Sequence, residues 1–406
     1  DSHHAGAAAR VFLPAPQRLL GKTPCSMVTC QALATRTAEK ILVNEFGGAP
    51  FVSTGSPTVS TDPSITERVG VGRALRAAGA RRPGRGKTRC VTYAKGLHEV
   101  ADGVWAYLQP DGGWGWSNAG LVTGDRASLL VDTLFDLRLT GEMLEAMRRV
   151  TPAAERIDTV VNTHANGDHC YGNALVAGSD IIASVRCAEE MAQLPPSAMA
   201  GVLRSAPALG PAGEFLARIF APFSFDDIET ALPTSTFEGR FDLTVADRPV
   251  TLLEVGPAHT AGDVVVHLPD DGVIFTGDIL FHGGHPIVWA GPVANWVTAC
   301  DRVLELDASV IVPGHGPLAA PSAVADLKSY FEFLTTEARL RHDAGMSALE
   351  AALDIDLGPY AGWGEAERVV ANVRALYRDF GDESPADVVT VMGEMAVLAE
   401  RRDAST

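Results

Sequence analysis

The sequence predicts an α/β fold, on three observations. Short β-branched runs end repeatedly in polar loops that carry histidine or aspartate, as Thr159-Val160-Val161 does ahead of Asn162-Thr163-His164, the way a buried strand passes into a loop at the edge of a sheet. Strand-like and helix-like stretches alternate through the middle of the chain, the order that builds sheets layered with helices. After Pro317 the apolar spacing becomes mainly helical, so the fold is expected to end in C-terminal helices.

Residues 1–95 stand apart by charge. They hold 14 Lys/Arg against 5 Asp/Glu, a net of +9, whereas the remainder holds 19 against 45, a net of −26. Rich in Ala, Gly, Arg, Ser and Thr, with a basic cluster at Arg81, Arg82, Arg85, Lys87 and Arg89, this stretch reads as a basic, weakly folded extension, with an acid-poor transit leader as the alternative. Asp1-Ser2-His3-His4 looks like a processing remnant. No apolar core of a secretory signal stands out, so a cytoplasmic location is expected.

The character changes near His98. Leu97–Val100 and Val104–Leu108 alternate like strands around Asp102-Gly103, a hairpin signal. Gly112–Asn118 is a glycine-loosened loop carrying Trp114 and Trp116, followed by a strand over Ala119–Val122. Arg126–Asp132 reads as a turn, a buried strand and a terminal aspartate, and Asp271–Asp278 repeats that pattern. An amphipathic helix is predicted over Gly141–Val150, then strands over Ile157–Val161 and Asp180–Ser184.

Residues 186–230 are helical but broken by Pro195, Pro196, Pro207, Pro211 and Pro222. Their apolar face (Phe215, Leu216, Ile219, Phe220, Phe223, Phe225) suits a lid over a hydrophobic substrate and equally suits docking onto the sheet. Helices are predicted over Ala323–Arg341, Ser347–Leu353, Glu365–Phe380 and Ala386–Arg402. The first completes a catalytic domain over 96–330; residues 331–406 form a C-terminal helical extension, for packing within the chain or for self-association into a homo-oligomer.

Composition excludes several classes. An apolar share of 46% with 20% charged residues supplies the core of a soluble globular protein, and no apolar run reaches the roughly 18 residues that a membrane span needs. The acidic body argues against a nucleic-acid partner, because phosphate backbones call for a basic surface. Six cysteines without framework spacing read as reduced thiols.

The chemistry concentrates at His164-Ala165-Asn166-Gly167-Asp168-His169. Four potential ligands in six residues make sense if a divalent cation gathers them, since imidazole nitrogen and carboxylate oxygen are its usual donors. Alternatively, Asn166 or Asp168 caps a helix that starts near His169. Further single ligands stand at other strand ends: Asp132, His259 in Gly256–Asp263, Asp278 after Phe275-Thr276-Gly277, and His315 in Val312–Gly316.

Taken in order, a strand-end Asp, HxHxDH, a His, an Asp and a final His, these motifs resemble the metallo-β-lactamase-fold superfamily over roughly residues 96 to 330. Four of the five match outright, and the second departs only at Asn166. The resemblance implies a four-layer αββα sandwich with the C-terminal helical extension added. Carried over position by position, it implies one metal site of His164, Asn166 and His259, a second of Asp168, His169 and His315, and Asp278 as the bridge. Zinc is the expected ion, one or two per chain; because a neutral amide replaces an imidazole at Asn166, iron or manganese is the alternative.

In that scheme Asp168 orients or deprotonates water and Asp132 holds the ligand loops. The expected activity is that of a metal-dependent hydrolase, glyoxalase II-like or otherwise, on a small acyl-type molecule: a thioester, lactone, ester or lactam. Polyketide cyclase-like chemistry, iron-dependent oxidation and, with less weight, non-catalytic metal binding are the alternatives. Trp114, Trp116 and Trp289 are candidate substrate contacts, each equally readable as a packing aromatic. His282 and His285 flank Gly283-Gly284 just beyond Asp278 and are candidates to bind substrate, relay protons or supply the nitrogen that Asn166 lacks.

Overall fold

A computed structural model describes residues 93–382 and 387–404. The basic stretch read over residues 1–95 therefore lies, apart from its end, outside the described residues. β1 (Gly96–Ala101) and β2 (Val104–Leu108) form the expected hairpin across Asp102-Gly103. They lead into β3 (Ala119–Gly124), β4 (Ala127–Val131), α1 (Leu137–Val150), β5 (Thr159–Val161), α2 (Gly167–Cys170) and β6 (Asp180–Ser184). α1 begins at Leu137, ahead of the predicted Gly141, because the Asp136 carboxylate accepts the free N–H of Leu139 at 2.7 Å.

The proline-broken stretch folds as α3 (Val185–Gln193), α4 (Pro196–Ser205) and α5 (Pro211–Phe220), and β7 (Ser235–Phe237) follows. The second half runs through β8 (Arg240–Val245), β9 (Arg248–Glu254), β10 (Val264–Leu268), β11 (Val273–Phe281), α6 (Val293–Glu305) and β12 (Val310–His315). Among the described residues β1 to β7 make a seven-stranded sheet in chain order, and a five-stranded sheet runs β12-β11-β10-β9-β8. Pairing is antiparallel from β1 to β4 and parallel from β4 to β7.

Period-two alternation divides each strand between two apolar layers. Leu129 and Val131 of β4, Val264 and Val266 of β10, and Phe275 of β11 fill the space between the sheets. Their neighbours Leu130, Val265 and Ile274 face outward, into a core shared with Leu139 and Met143 of α1 and Trp296 of α6. The result is the four-layer αββα sandwich. Its register leaves the ends of β4, β5, β11 and β12, and the turn between β9 and β10, at one edge.

The chain ends in α7 (Pro321–Asp343), α8 (Ala348–Asp354), α9 (Val369–Asp379) and α10 (Val388–Asp403). α7 runs through the expected boundary at residue 330, and Tyr330 and Phe331 on it are fully buried. The later helices share the same apolar core, through Val370, Val373, Met392 and Met395. α10 packs along α5, with Gly393 beside Ala212. Among the described residues no helix is long and apolar enough to cross a membrane.

Candidate metal centre

Two backbone devices set up the centre. Asp132, just past β4, has a left-handed φ of 62°, and Gly277, just before Asp278, has one of 50°. A side chain at Gly277 would collide with the Thr163 hydroxyl, and one at Gly314 would collide with the Asp278 carboxylate. Glycine at both positions is therefore a requirement for bringing β11 and β12 up against the His164 loop.

Asp278 sits at the middle. Its Oδ1 lies 3.1 Å from His169 Nε2, and its Oδ2 lies 3.3 Å from His259 Nε2, 3.5 Å from His315 Nε2 and 3.7 Å from His164 Nε2. Asp168 Oδ2 is 3.3 Å from His315 Nε2 and 3.9 Å from His169 Nε2. Two ligand groups result, His164 with His259 and Asp278, and Asp168 with His169 and His315; within each the donor atoms lie no more than 4.8 Å apart. Asn166 occupies the N-cap position of α2 but makes no side-chain cap there. Its amide oxygen lies 2.6 Å from His259 Nε2, so the residue that departs from the motif still faces the same centre.

Each imidazole is held at Nδ1. His169 Nδ1 meets Asp132 Oδ2 at 2.9 Å, His259 Nδ1 meets the Ile287 carbonyl at 2.7 Å, and His315 Nδ1 meets the Gly112 carbonyl at 3.0 Å. Oxygens of these kinds only accept, so each Nδ1 carries a proton and each Nε2 is left facing inward. His164 follows by one more step. The Thr163 hydroxyl donates its single proton to Asp132 Oδ2 at 2.7 Å and so must accept from His164 Nδ1 at 3.0 Å. Asp132 also takes the Thr163 N–H at 2.7 Å, so one carboxylate orients two of the four rings.

The electrostatics favour added positive charge. Burial lowers the pKa of His164, with the neighbouring His169 adding to the effect, and burial lowers His259 as well. For His169 and His315 burial acts in the same sense but is outweighed by Asp278 and Asp168, which raise His169 well above the ordinary value and His315 to about 9. Asp278 is pulled well below the carboxylate range: burial opposes this, and His315, His169 and His164 override it. The buried Nε2 atoms of His164 and His169 and Oδ1 of Asp278 make no hydrogen bond. Protons on His169 and His315 thus answer the charge of the two carboxylates, and a divalent cation of the kind that takes nitrogen and oxygen ligands would fit the same buried convergence by displacing them.

The remaining candidates sit elsewhere. His285 is fully buried, its Nδ1 3.2 Å from the Tyr330 hydroxyl and its ring against Trp363. Burial pushes its pKa down to about 3. It is thus a packing histidine, unavailable to substrate, and the expectation for it is corrected. His282 turns its Nδ1 to the Pro317 carbonyl at 3.0 Å, and among the described residues neither His282 nor His285 joins the two groups of converging donors, so neither ring stands in for Asn166.

Trp114 donates from Nε1 to Glu367 at 2.7 Å, has the Arg368 guanidinium 4.3 Å from its ring centre, and meets Phe215 and Phe220 edge-on. Trp116 leans on Phe223 at 5.0 Å. Both tryptophans are thereby engaged by the α5 region, which closes over their loop. Half-buried Trp289 donates its backbone N–H to the His259 carbonyl at 3.0 Å, and Trp296, fully buried, fills the core with its Nε1 on the Ile279 carbonyl.

Several working residues escaped the sequence reading. Thr163, Gly112 and Asn118 are the chief ones, the last donating to the Pro313 and Gly316 carbonyls on either side of His315 at 3.0 and 2.9 Å. Only Thr163 had a local signal, a hydroxyl next to the first motif histidine. The Asp263 carboxylate, inside a quoted motif but given no role, gathers the N–H groups of Ala258 and Thr260 and so shapes the His259 turn.

Comparison with known proteins agrees with this geometry. The chain is 25% identical over 225 residues, covering 49% of it and 72% of the relative, to a human (Homo sapiens) protein named acyl-coenzyme A thioesterase MBLAC2. It is 32% identical over 91 residues, 21% of this chain and 17% of the relative, to a linear primary-alkylsulfatase of Pseudomonas sp. (strain ATCC 19151). Among solved structures, a stereoselective inverting sec-alkylsulfatase from Pseudomonas sp. superposes with a TM-score of 0.53 at 18% identity, covering 71% of this chain. The chain spans about half of that sulfatase, 50% of its length. A metallo-beta-lactamase family protein of Thermus thermophilus gives 0.50 at 20% identity, with 70% of this chain and 95% of that one covered. At such identities these structures speak for the fold alone. The profile of the metallo-beta-lactamase superfamily matches residues 112–315, the span that holds every ligand described above, and the chain belongs to that superfamily as a hydrolase of its fold.

Proposed function

We propose that the protein is a metal-dependent hydrolase of small acyl-type substrates, thioesters first, with His164, His259 and Asp278 (joined by Asn166) holding one divalent cation and Asp168, His169 and His315 a second. The observation that carries this is the convergence of four buried imidazole Nε2 atoms on two carboxylates. Cations in this position supply Lewis acidity, making water a better nucleophile near neutral pH and stabilising the oxyanion of an attacked carbonyl.

The chain's own groups do the rest. Asp168 has the most exposed side chain of the six, 13% against 4% or less for the others, and is placed to take the proton of an attacking water. Asp132 and Thr163 keep His169 and His164 turned so that Nε2 faces inward. Asn166 brings a neutral oxygen where the motif has imidazole, making its half of the centre the weaker one.

The thioester preference draws on the relatives named acyl-coenzyme A thioesterase. The relative named as an alkylsulfatase makes sulfate esters the competing class. The test is a panel of acyl-coenzyme A thioesters, lactones, esters, lactams and primary alkyl sulfates, run on full-length protein loaded with zinc, iron or manganese. Thioester turnover with zinc, reduced at least about 100-fold by Asp168→Ala, is expected. Turnover confined to the sulfates would replace the substrate assignment, and a protein inert towards the whole panel with every ion would remove the catalytic reading.

A further inference from the structure

We infer that Glu367 and Arg368, in the C-terminal extension, are positioning residues for His315, so that the extension completes the metal centre; this rests on reading that centre as a cation site. His315 is held in two ways. Its Nδ1 donates to the Gly112 carbonyl at 3.0 Å, and its ring lies parallel to Phe281, 3° between planes and 5.1 Å between centres. Both holders lead to the same segment. Trp114, two residues after Gly112, donates to Glu367 at 2.7 Å, and the Arg368 guanidinium lies 4.3 Å from the Trp114 ring centre and 5.2 Å from that of Phe281.

The segment itself is fastened to the loop that follows β11. Gly364 N–H donates to the Gly283 carbonyl and His285 N–H to the Gly364 carbonyl, each at 2.9 Å, while Arg368 Nη1 donates to the His285 carbonyl at 3.0 Å. The result is a chain of contacts from the extension, through two aromatic rings and one loop, to a single ligand.

The chemistry of Arg368 argues against a role in bulk packing. It is 2% exposed, forms no ion pair among the described residues, and its Nε makes no hydrogen bond. A buried guanidinium without a carboxylate is a poor way to stabilise a fold, since an apolar chain of the same length would fill the space without the desolvation cost. What it provides that such a chain does not is a flat cation that two aromatic faces can hold at once. Glu367 fixes the same Trp114 ring by its N–H.

The test is chelator competition on full-length protein, reading the affinity of each bound zinc equivalent. Arg368→Met is expected to weaken at least one equivalent by about 10- to 100-fold, the usual effect of removing a group that orients a ligand. Trp114→Phe, which keeps the ring but loses the N–H to Glu367, should weaken the same equivalent by a smaller factor and still decides the matter if Arg368→Met does not fold. Arg374→Met is the control: it breaks the Arg374–Glu394 pair between α9 and α10 and should lower Tm with ion affinity unchanged. Parent affinity in both Arg368→Met and Trp114→Phe overturns the inference, as does an equal weakening in Arg374→Met. A parent protein that binds no zinc would instead overturn the metal centre itself.

Discussion

Asp132 is buried and accepts three hydrogen bonds. Its Oδ2 takes the protons of His169 Nδ1 and the Thr163 hydroxyl, and its Oδ1 takes the Thr163 N–H. An asparagine there can offer one accepting oxygen, so Asp132→Asn must leave either the loop N–H or the two side chains facing an NH2 group. Zinc affinity is expected to fall by about 10- to 100-fold, and a competition titration against a chromophoric chelator would measure it; affinity within about twofold of the parent would mean that the histidines orient themselves. The side chains that converge at the centre were legible in the sequence because their signal is local, a donor group at the end of an apolar run. Their orienting partners were not: His315 is turned by a carbonyl 203 positions away and Trp114 by a carboxylate 253 positions away. A carbonyl carries no mark in sequence at all, and that is why Gly112 and Ile287 went unread. The same holds for His285, whose burial beneath Tyr330 and Trp363 depends on α7 and the segment after it.

At the scale of elements, α3 contributes a titrating group behind the His259 turn. Both carboxylate oxygens of Glu190 are in reach of the Ala261 N–H, at 3.3 and 3.2 Å, and burial lifts the pKa of Glu190 from 4.5 to about 7. The folded protein then binds a proton that the unfolded chain releases, so stability from this group is complete below about pH 4.5 and is lost as pH rises through about 7. Denaturant melts across that interval should show the decline, and Glu190→Gln should flatten it; an unchanged slope would place the charge in solvent. Most elements were readable from their spacing, among them the β1–β2 hairpin, β6 and the four C-terminal helices. Boundaries were set by features outside the periodic pattern. Asp136 starts α1 early, the segment read as one helix over Glu365–Phe380 opens with a 3-10 turn at Ala366–Arg368 before α9, and α7 carries straight across residue 330.

The whole molecule joins parts that the sequence set apart. The motifs resembled one superfamily, and that alone implied four layers; the helical spacing after Pro317 suggested a C-terminal extension, for packing within the chain or for self-association. In the structure α10 packs along α5, and the residues just ahead of α9 reach the loops at the candidate metal centre. Long-range packing of this kind leaves no periodic trace, because α10 is amphipathic whether it meets a neighbour in its own chain or in another. A cation that binds only the folded state stabilises it by about 2.7 kcal/mol at a free concentration 100 times its Kd. Excess chelator is therefore expected to lower Tm by several degrees in a reversible scan, with recovery on adding zinc; an unmoved transition would show that the folded chain holds no ion tightly.

The depth at which each ligand lies has a further consequence. The four imidazoles and Asp278 are 4% exposed or less, whereas Asp168 is 13% exposed and Asn166, two residues before it, is half-buried. An incoming molecule therefore meets Asp168 before it touches any imidazole.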